Sequence, residues 1–143
     1  MRFFKRLRAM AELSKNFVSL AANRSPRHPI AVTAIPGKGR GVIACRNFAE
    51  GEVIERCPVI VLSEVETAPG MLANYTFTWC GGRQAIVLGY GSLYNHSANP
   101  NADFLRFCSL HEIRFVAVRD ILIAEEITFD YGWDKNEMAG FSE

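Results

Sequence analysis

One stretch constrains this chain more than any other: Gly91-Ser92-Leu93-Tyr94-Asn95-His96-Ser97-Ala98-Asn99-Pro100-Asn101. Its last seven residues hold three amides, an imidazole, a hydroxyl and a proline. Asn and Ser fold their side chains back onto nearby backbone and proline fixes its own φ, so the residues taken alone fit a surface turn. A surface turn has no need of apolar sequence against it. Here Leu88, Leu93 and Tyr94 lead in, and Phe104, Leu105 and Phe107 lead out. Amides flanked in this way are half buried, and buried amides require partners. The stretch therefore reads as the polar wall of a ligand pocket.

The rest of the chain supplies a β-rich frame for that wall. Ile30–Ile35 reads as a strand, and Val42–Leu62 as two strands joined through Asn47–Glu52. Gly37, Gly39 and Gly41 alternate with Lys38 and Arg40, which permits a sharp turn and close approach to a ligand. A phosphate loop is excluded, because no Gly-Lys-Ser/Thr follows and a strand rather than a helix comes next. Residues 63–74 form a connector with a short helical piece at Met71–Ala73. Tyr75, Phe77 and Trp79 alternate as one face of a strand, Gly81–Gln84 turns a hairpin, Ala85–Leu88 returns, and Ile113–Val118 adds another strand. Many short strands and few helices make the fold mainly β. Glu125 and Glu126 are neighbours on a strand, so their carboxylates face opposite ways and read as turn or surface groups rather than an acid/base pair.

At 143 residues the chain fits one domain, and no apolar run reaches the length of a membrane span. Its charge is divided unevenly. Residues 1–29 hold seven Lys/Arg against one acid, and the remainder nine against fourteen. An acidic core attracts a basic protein segment and disfavours a grip on nucleic acid. The basic arm, residues 1–29, carries a helical stripe (Phe3, Phe4, Leu7, Met10, Ala11, Val18, Ala21) broken at Ser25–Pro29. Three readings of it stand open: a short helix packed on the domain, a targeting or membrane-surface segment, and an arm on phosphate-rich partners such as nucleic acid. The domain proper is 30–133, with a tail at 134–143. Cys45, Cys57, Cys80 and Cys108 have no metal-ligand spacing and sit beside apolar residues. They read as buried free thiols, which favours a reducing compartment. His28 and His111 lie in unrelated contexts, so no metal site is expected.

Three motifs now stand in order: Gly37-Lys38-Gly39-Arg40-Gly41-Val42-Ile43-Ala44, then Asn95-His96-Ser97 with Pro100-Asn101, then Glu125-Glu126-Ile127-Thr128-Phe129-Asp130-Tyr131-Gly132. Together they resemble the SET-domain protein-lysine methyltransferases, over roughly residues 30 to 133. The resemblance implies several small curved sheets with a threaded, pseudoknot-like C-terminal segment. It implies S-adenosylmethionine as cofactor, met by Lys38, Gly39 and Arg40, by the Asn95 side chain, by His96 and by Trp133. It makes Tyr131 the catalytic residue, beside the transferring methyl, and lines the lysine channel with Tyr75, Phe104 and Phe129. Phe129, where some relatives have Tyr, implies more than one methyl added. Spacing alone would leave Tyr131 a core tyrosine; the three motifs together select the catalytic role.

The chain departs from the family pattern at Cys57, where many relatives have a channel Tyr, at Ala98, and in lacking an Arg-Phe pair before Asn95. It also lacks a cysteine-rich closing tail, leaving Trp133 and Phe141 as the large aromatics after the last motif. The implied partner is a lysine-containing, basic protein segment inside the cell, cytoplasmic or nuclear. A homodimer is compatible with the resemblance, though no residue pattern specifies one. The rival reading is a catalytically inactive SET-fold module that binds a protein or peptide.

Overall fold

Strands are present near Ile30–Ile35, within Val42–Leu62, near Ala85–Leu88 and near Ile113–Val118 as expected, but of Tyr75, Phe77 and Trp79 only Phe77 lies in a strand, because that strand is three residues long between two 3-10 turns. The computed structural model describes residues 28–63 and 70–132. The basic arm up to residue 27, with its expected helix, lies outside them, as do Trp133 and the tail 134–143. The described residues form nine strands: β1 (Ile30–Ile35), β2 (Gly39–Ala44), β3 (Val53–Val61), β4 (Thr76–Thr78), β5 (Gln84–Val87), β6 (Asn95–His96), β7 (Ala102–Phe107), β8 (Glu112–Ala117) and β9 (Glu126–Phe129). A 3-10 turn at Gly70–Tyr75 covers the helical piece expected at Met71–Ala73.

The strands make two sheets. In the first, the order is β1-β2-β9-β6. β9 runs antiparallel to β2 (Ile43 opposite Glu126) and parallel to β6 (His96 opposite Phe129). The last strand is thus inserted between two earlier ones, the arrangement expected of a threaded C-terminal segment. The SET-like resemblance supplied that expectation; strand periodicity does not contain it.

The second sheet is antiparallel throughout, in the order β4-β5-β3-β8-β7. β3 serves two partners: its first part pairs with β8 as far as Pro58, and Val59–Val61 pair with β5. Proline has no amide hydrogen, and here it stands where the strand changes partner. The outer strands β4 and β7 curl toward each other, as twisted sheets do. No ladder joins them. Side chains bridge the seam instead: Phe77 meets Phe104 edge-on at 5.2 Å, Arg106 Nε donates to the Thr78 carbonyl at 2.6 Å, and Cys80 bonds to Cys108.

That disulfide corrects the reading of four free thiols. Cys45 and Cys57 are free, but Cys80 and Cys108 are paired, with Cα atoms 6.2 Å apart. Each cysteine follows an edge strand of one curled sheet, and sequence spacing does not reveal which edges meet. A disulfide is uncommon in a reducing compartment, so the cysteines do not favour one. Between the sheets lies one core that includes Val42, Phe48, Ile113, Phe115, Ile121 and Ile127, each almost fully buried.

Candidate active site

The glycine turn and β6 converge at the open end of the first sheet. Asn95 Nδ2 donates to the Arg40 carbonyl at 3.0 Å and to Glu126 Oε1 at 2.8 Å. Lys38 Nζ reaches Glu126 Oε2 at 3.0 Å. Gly41 makes this approach possible. A Cβ there would stand 2.6 Å from Asn95 Nδ2 and 2.6 Å from Ile35 Cγ1. Gly39 is in the left-handed region at φ +79° and enters β2 from the turn. Lys38, Gly39, Arg40 and Asn95 are thereby brought together. Glu126 is their hub, a role the surface reading of that residue missed.

Glu125 points elsewhere, as the strand alternation requires. Its carboxylate accepts from Arg119 Nη2 at 2.6 Å, from the Leu122 amide at 3.0 Å and from Asn101 Nδ2 at 3.0 Å. Burial alone would raise its pKa, but these bonds outweigh burial and hold the carboxyl below its ordinary value.

Asn101 ends the polar stretch and is 2 % exposed. Its Nδ2 also donates to the Glu126 carbonyl at 2.8 Å, and its Oδ1 accepts from the Thr128 amide at 2.9 Å. One side chain therefore clasps both flanks of a peptide segment in β9. Half-burial of the stretch pointed toward such a residue without singling it out.

Tyr131 follows β9 and stands between two environments. Its amide donates to His96 Nδ1 at 3.2 Å, and its hydroxyl donates to the Tyr94 carbonyl at 2.6 Å. With Nδ1 accepting, the neutral imidazole carries its proton on Nε2. His96 thus orients the backbone of Tyr131, and Tyr94 orients its phenol. Burial, reinforced by Tyr75 and then the Glu126 carboxylate, pushes the Tyr131 phenol up to about 12.

Beside Tyr131 opens a cleft of about 290 Å³, its wall including Tyr75, Phe77, Phe104, Arg106, Phe129 and Tyr131. The rings lock one another: Phe129 lies 4.9 Å from Tyr131, 5.6 Å from Phe104 and 5.7 Å from Phe77. All three residues expected to line a lysine channel are here, with Tyr131 packed against Phe129 in the same wall. Trp79 is buried away from the cleft, while Tyr75 is half open.

Behind the cleft sits Glu55, which no motif flagged. It accepts from the Tyr94 hydroxyl at 2.9 Å and the Tyr90 amide at 3.0 Å. A Cβ at Gly89 would lie 2.5 Å from Glu55 Oε1. Burial first, then the Glu55 carboxylate, drives the Tyr94 phenol pKa upward. Glu55 thereby fixes the residue whose carbonyl holds Tyr131. Cys57 belongs to this layer too. It is fully buried and its thiol pKa is raised, by burial first and then by Glu55. It is not part of the cleft wall, so the aromatic lining comes from Tyr75, Phe77, Phe104 and Phe129 instead.

Residues 39–132 match the SET domain family model. The chain belongs to the SET-domain family of protein-lysine methyltransferases. It is 31% identical over 123 residues to a Schizosaccharomyces pombe protein named "Histone-lysine N-methyltransferase, H3 lysine-37 specific", covering 81% of this chain and 84% of that one. It is 33% identical over 119 residues to the Xenopus laevis "N-lysine methyltransferase KMT5A-B", covering 68% of this chain but only 34% of the frog protein. Among solved structures, a Plasmodium falciparum protein assigned to the histone methyltransferases superposes with a TM-score of 0.64 at 26% identity, covering 76% of this chain and 97% of that one. In this SET domain the two outer motifs meet through the β2–β9 ladder and the Lys38–Glu126 ion pair, and the middle motif grips the last through Asn95, Asn101 and His96.

Proposed function

We propose that this SET domain uses S-adenosylmethionine to methylate lysine in a basic protein segment of the histone type, inside the cell. The observation that supports it best is Tyr131, tied by its amide to His96 and by its hydroxyl to the Tyr94 carbonyl, between a polar cluster and an aromatic cleft.

The polar cluster suits the amino-acid end of that cofactor. Among the described residues Asn95 bonds only through Nδ2, so its Oδ1 remains able to accept from an ammonium. Lys38 and Arg40 are exposed cations that suit a carboxylate, and the glycine turn lets backbone approach closely. When bound, S-adenosylmethionine supplies an electrophilic methyl on a positive sulfonium. Trp133 is assigned to the cofactor by resemblance.

The cleft suits the amine. A lysine in water has a pKa of about 10.4, so roughly one in a thousand is neutral at pH 7. Aromatic walls strip water from the charged form and lower that pKa, and none of the described wall residues is a carboxylate that would oppose the shift. Tyr75, Phe104 and Phe129 confine the side chain. The Tyr131 phenol, still protonated at neutral pH, orients the nitrogen and accepts weak C–H···O contacts at the methyl. Phe129 offers no hydroxyl to hold a water, which favours addition of more than one methyl.

Calorimetric titration with S-adenosylmethionine, paired with mass spectrometry of methylated core histones, tests the assignment. Wild type is expected to bind and to methylate. Asn95→Ala is expected to lose binding, and Tyr131→Phe to bind normally while transferring at least about 100-fold more slowly. Full transfer activity in Tyr131→Phe would remove the catalytic assignment. Peptide binding without any methyl transfer by wild type would instead favour a non-catalytic module.

A further inference from the structure

A pocket that must receive a lysine is expected to avoid fixed positive charge. This one has Arg106 in its wall, and no other charged side chain among the described residues that line it. Arg106 shares a face of β7 with Phe104. Its Nε is bound to the Thr78 carbonyl across the seam, and its guanidinium lies 4.8 Å over the Phe104 ring. These contacts hold the side chain in one place. Among the described residues neither Nη group has a hydrogen-bond partner and Arg106 has no carboxylate partner.

Its exposure defines its role. Arg106 is exposed and packs on Phe104, whereas Tyr131 packs on the buried Phe129. The cation is therefore at the rim of the cleft. A group at the rim meets the residue next to the target lysine. A guanidinium with two free amino groups is shaped to pair with a carboxylate.

We propose that Arg106 is a specificity-determining residue that selects lysines with an Asp or Glu close by in the substrate chain. The inference rests on the lysine-methyltransferase reading and narrows its substrate class. It also refines the charge argument. The acidic balance of residues 30–143 favours a basic segment overall, while the rim asks for one acid beside the lysine.

The test uses the full chain, S-adenosylmethionine and synthetic peptides that each carry one lysine. The peptides differ only in placing Glu, Gln or Arg at one of the two positions on either side. Wild type is expected to show a kcat/KM about three- to fivefold higher for the best Glu peptide than for its Gln counterpart, the upper part of the range for a solvent-exposed pair. Arg106→Lys keeps the charge and should retain part of that ratio. Arg106→Gln should bring it close to one, and Arg106→Glu should shift preference to the Arg peptides. The ratio is internal to each variant, so a general loss of activity does not imitate the effect. A wild-type ratio near one at every position, or one unchanged in Arg106→Glu, overturns the inference and leaves the methyltransferase reading intact. Absence of transfer to every peptide and to core histones overturns both.

Discussion

In the four-stranded sheet the contacts that build the site are hydrogen bonds between 2.8 and 3.2 Å: Asn95 to Arg40 and Glu126, Asn101 to β9, and Tyr131 to His96. Around the five-stranded sheet they are ring contacts at 4.6 to 6.1 Å among Phe77, Phe104 and Phe115, with Tyr94 packed in from the residue before β6 and Phe129 from β9. Hydrogen bonds are directional and fail when one partner moves. Rings tolerate small rotations and derive their strength from area removed from water. Under the proposed function, the first sheet would suit a ligand with defined donors and acceptors and the second a flexible apolar stem. Tyr131 follows β9, the strand that both halves share.

The sharpest way to break this division is to remove a ring. Phe115 is fully buried and touches four other rings. Phe115→Ala is expected to cost about 4 kcal/mol in denaturant unfolding. A loss under about 1 kcal/mol would show that the ring cluster is not what holds the second sheet.

Next comes the polar clasp. Asn101→Ala leaves the Thr128 amide and the Glu126 carbonyl without their side-chain partner, at an expected cost of about 2 to 3 kcal/mol. Cofactor affinity measured by calorimetry should fall more in this variant than in Tyr75→Ala, which alters only the rim of the cleft. The reverse order would erase the assignment of the two ends.

Glu125 sharpens the comparison through pH. Its folded pKa lies below the ordinary 4.5, so the native state binds fewer protons than the unfolded chain near that pH. The stabilisation is present above 4.5 and is lost as pH falls through the depressed value. Glu125→Gln should be less stable than wild type by about 1 kcal/mol at neutral pH, after allowance for solvent screening. Unfolding curves should show that gap closing in acid. A gap independent of pH would assign the loss to packing.

The smallest effect is expected at the turn before β9. Ala124 sits at φ +69°, a region costly to a residue with a Cβ. Ala124→Gly should raise stability by about 0.5 kcal/mol, relief of strain exceeding the entropy cost of glycine. A destabilised variant would mean that the turn is not strained.

Much of this was legible in the order of residues. The strands expected at 30–35, from Val42 and at 85–88 follow from local alternation and turn chemistry, which act over a few residues, although the second begins at Gly39, inside the stretch read as a turn. The half-burial of Asn95, His96 and Ser97 follows from their apolar flanks. The three motifs led to the family because each concentrates chemical types that packing alone does not demand.

What remained hidden depends on neighbours distant in sequence. Glu126 looked like a surface carboxylate until β9 slid between β2 and β6 and set it against Asn95. Cys80 and Cys108 looked like separate thiols until β4 and β7 curled to a common seam. Glu55 and Arg106 belong to no motif, yet one supports the residue that holds Tyr131 and the other marks the rim. Sequence determined the local turns, the strand faces and the reactive residue types, because those depend on neighbours along the chain. Only the tertiary structure decided which of them meet, because strand insertion and sheet curl bring together groups whose separation along the chain says nothing about their distance in space.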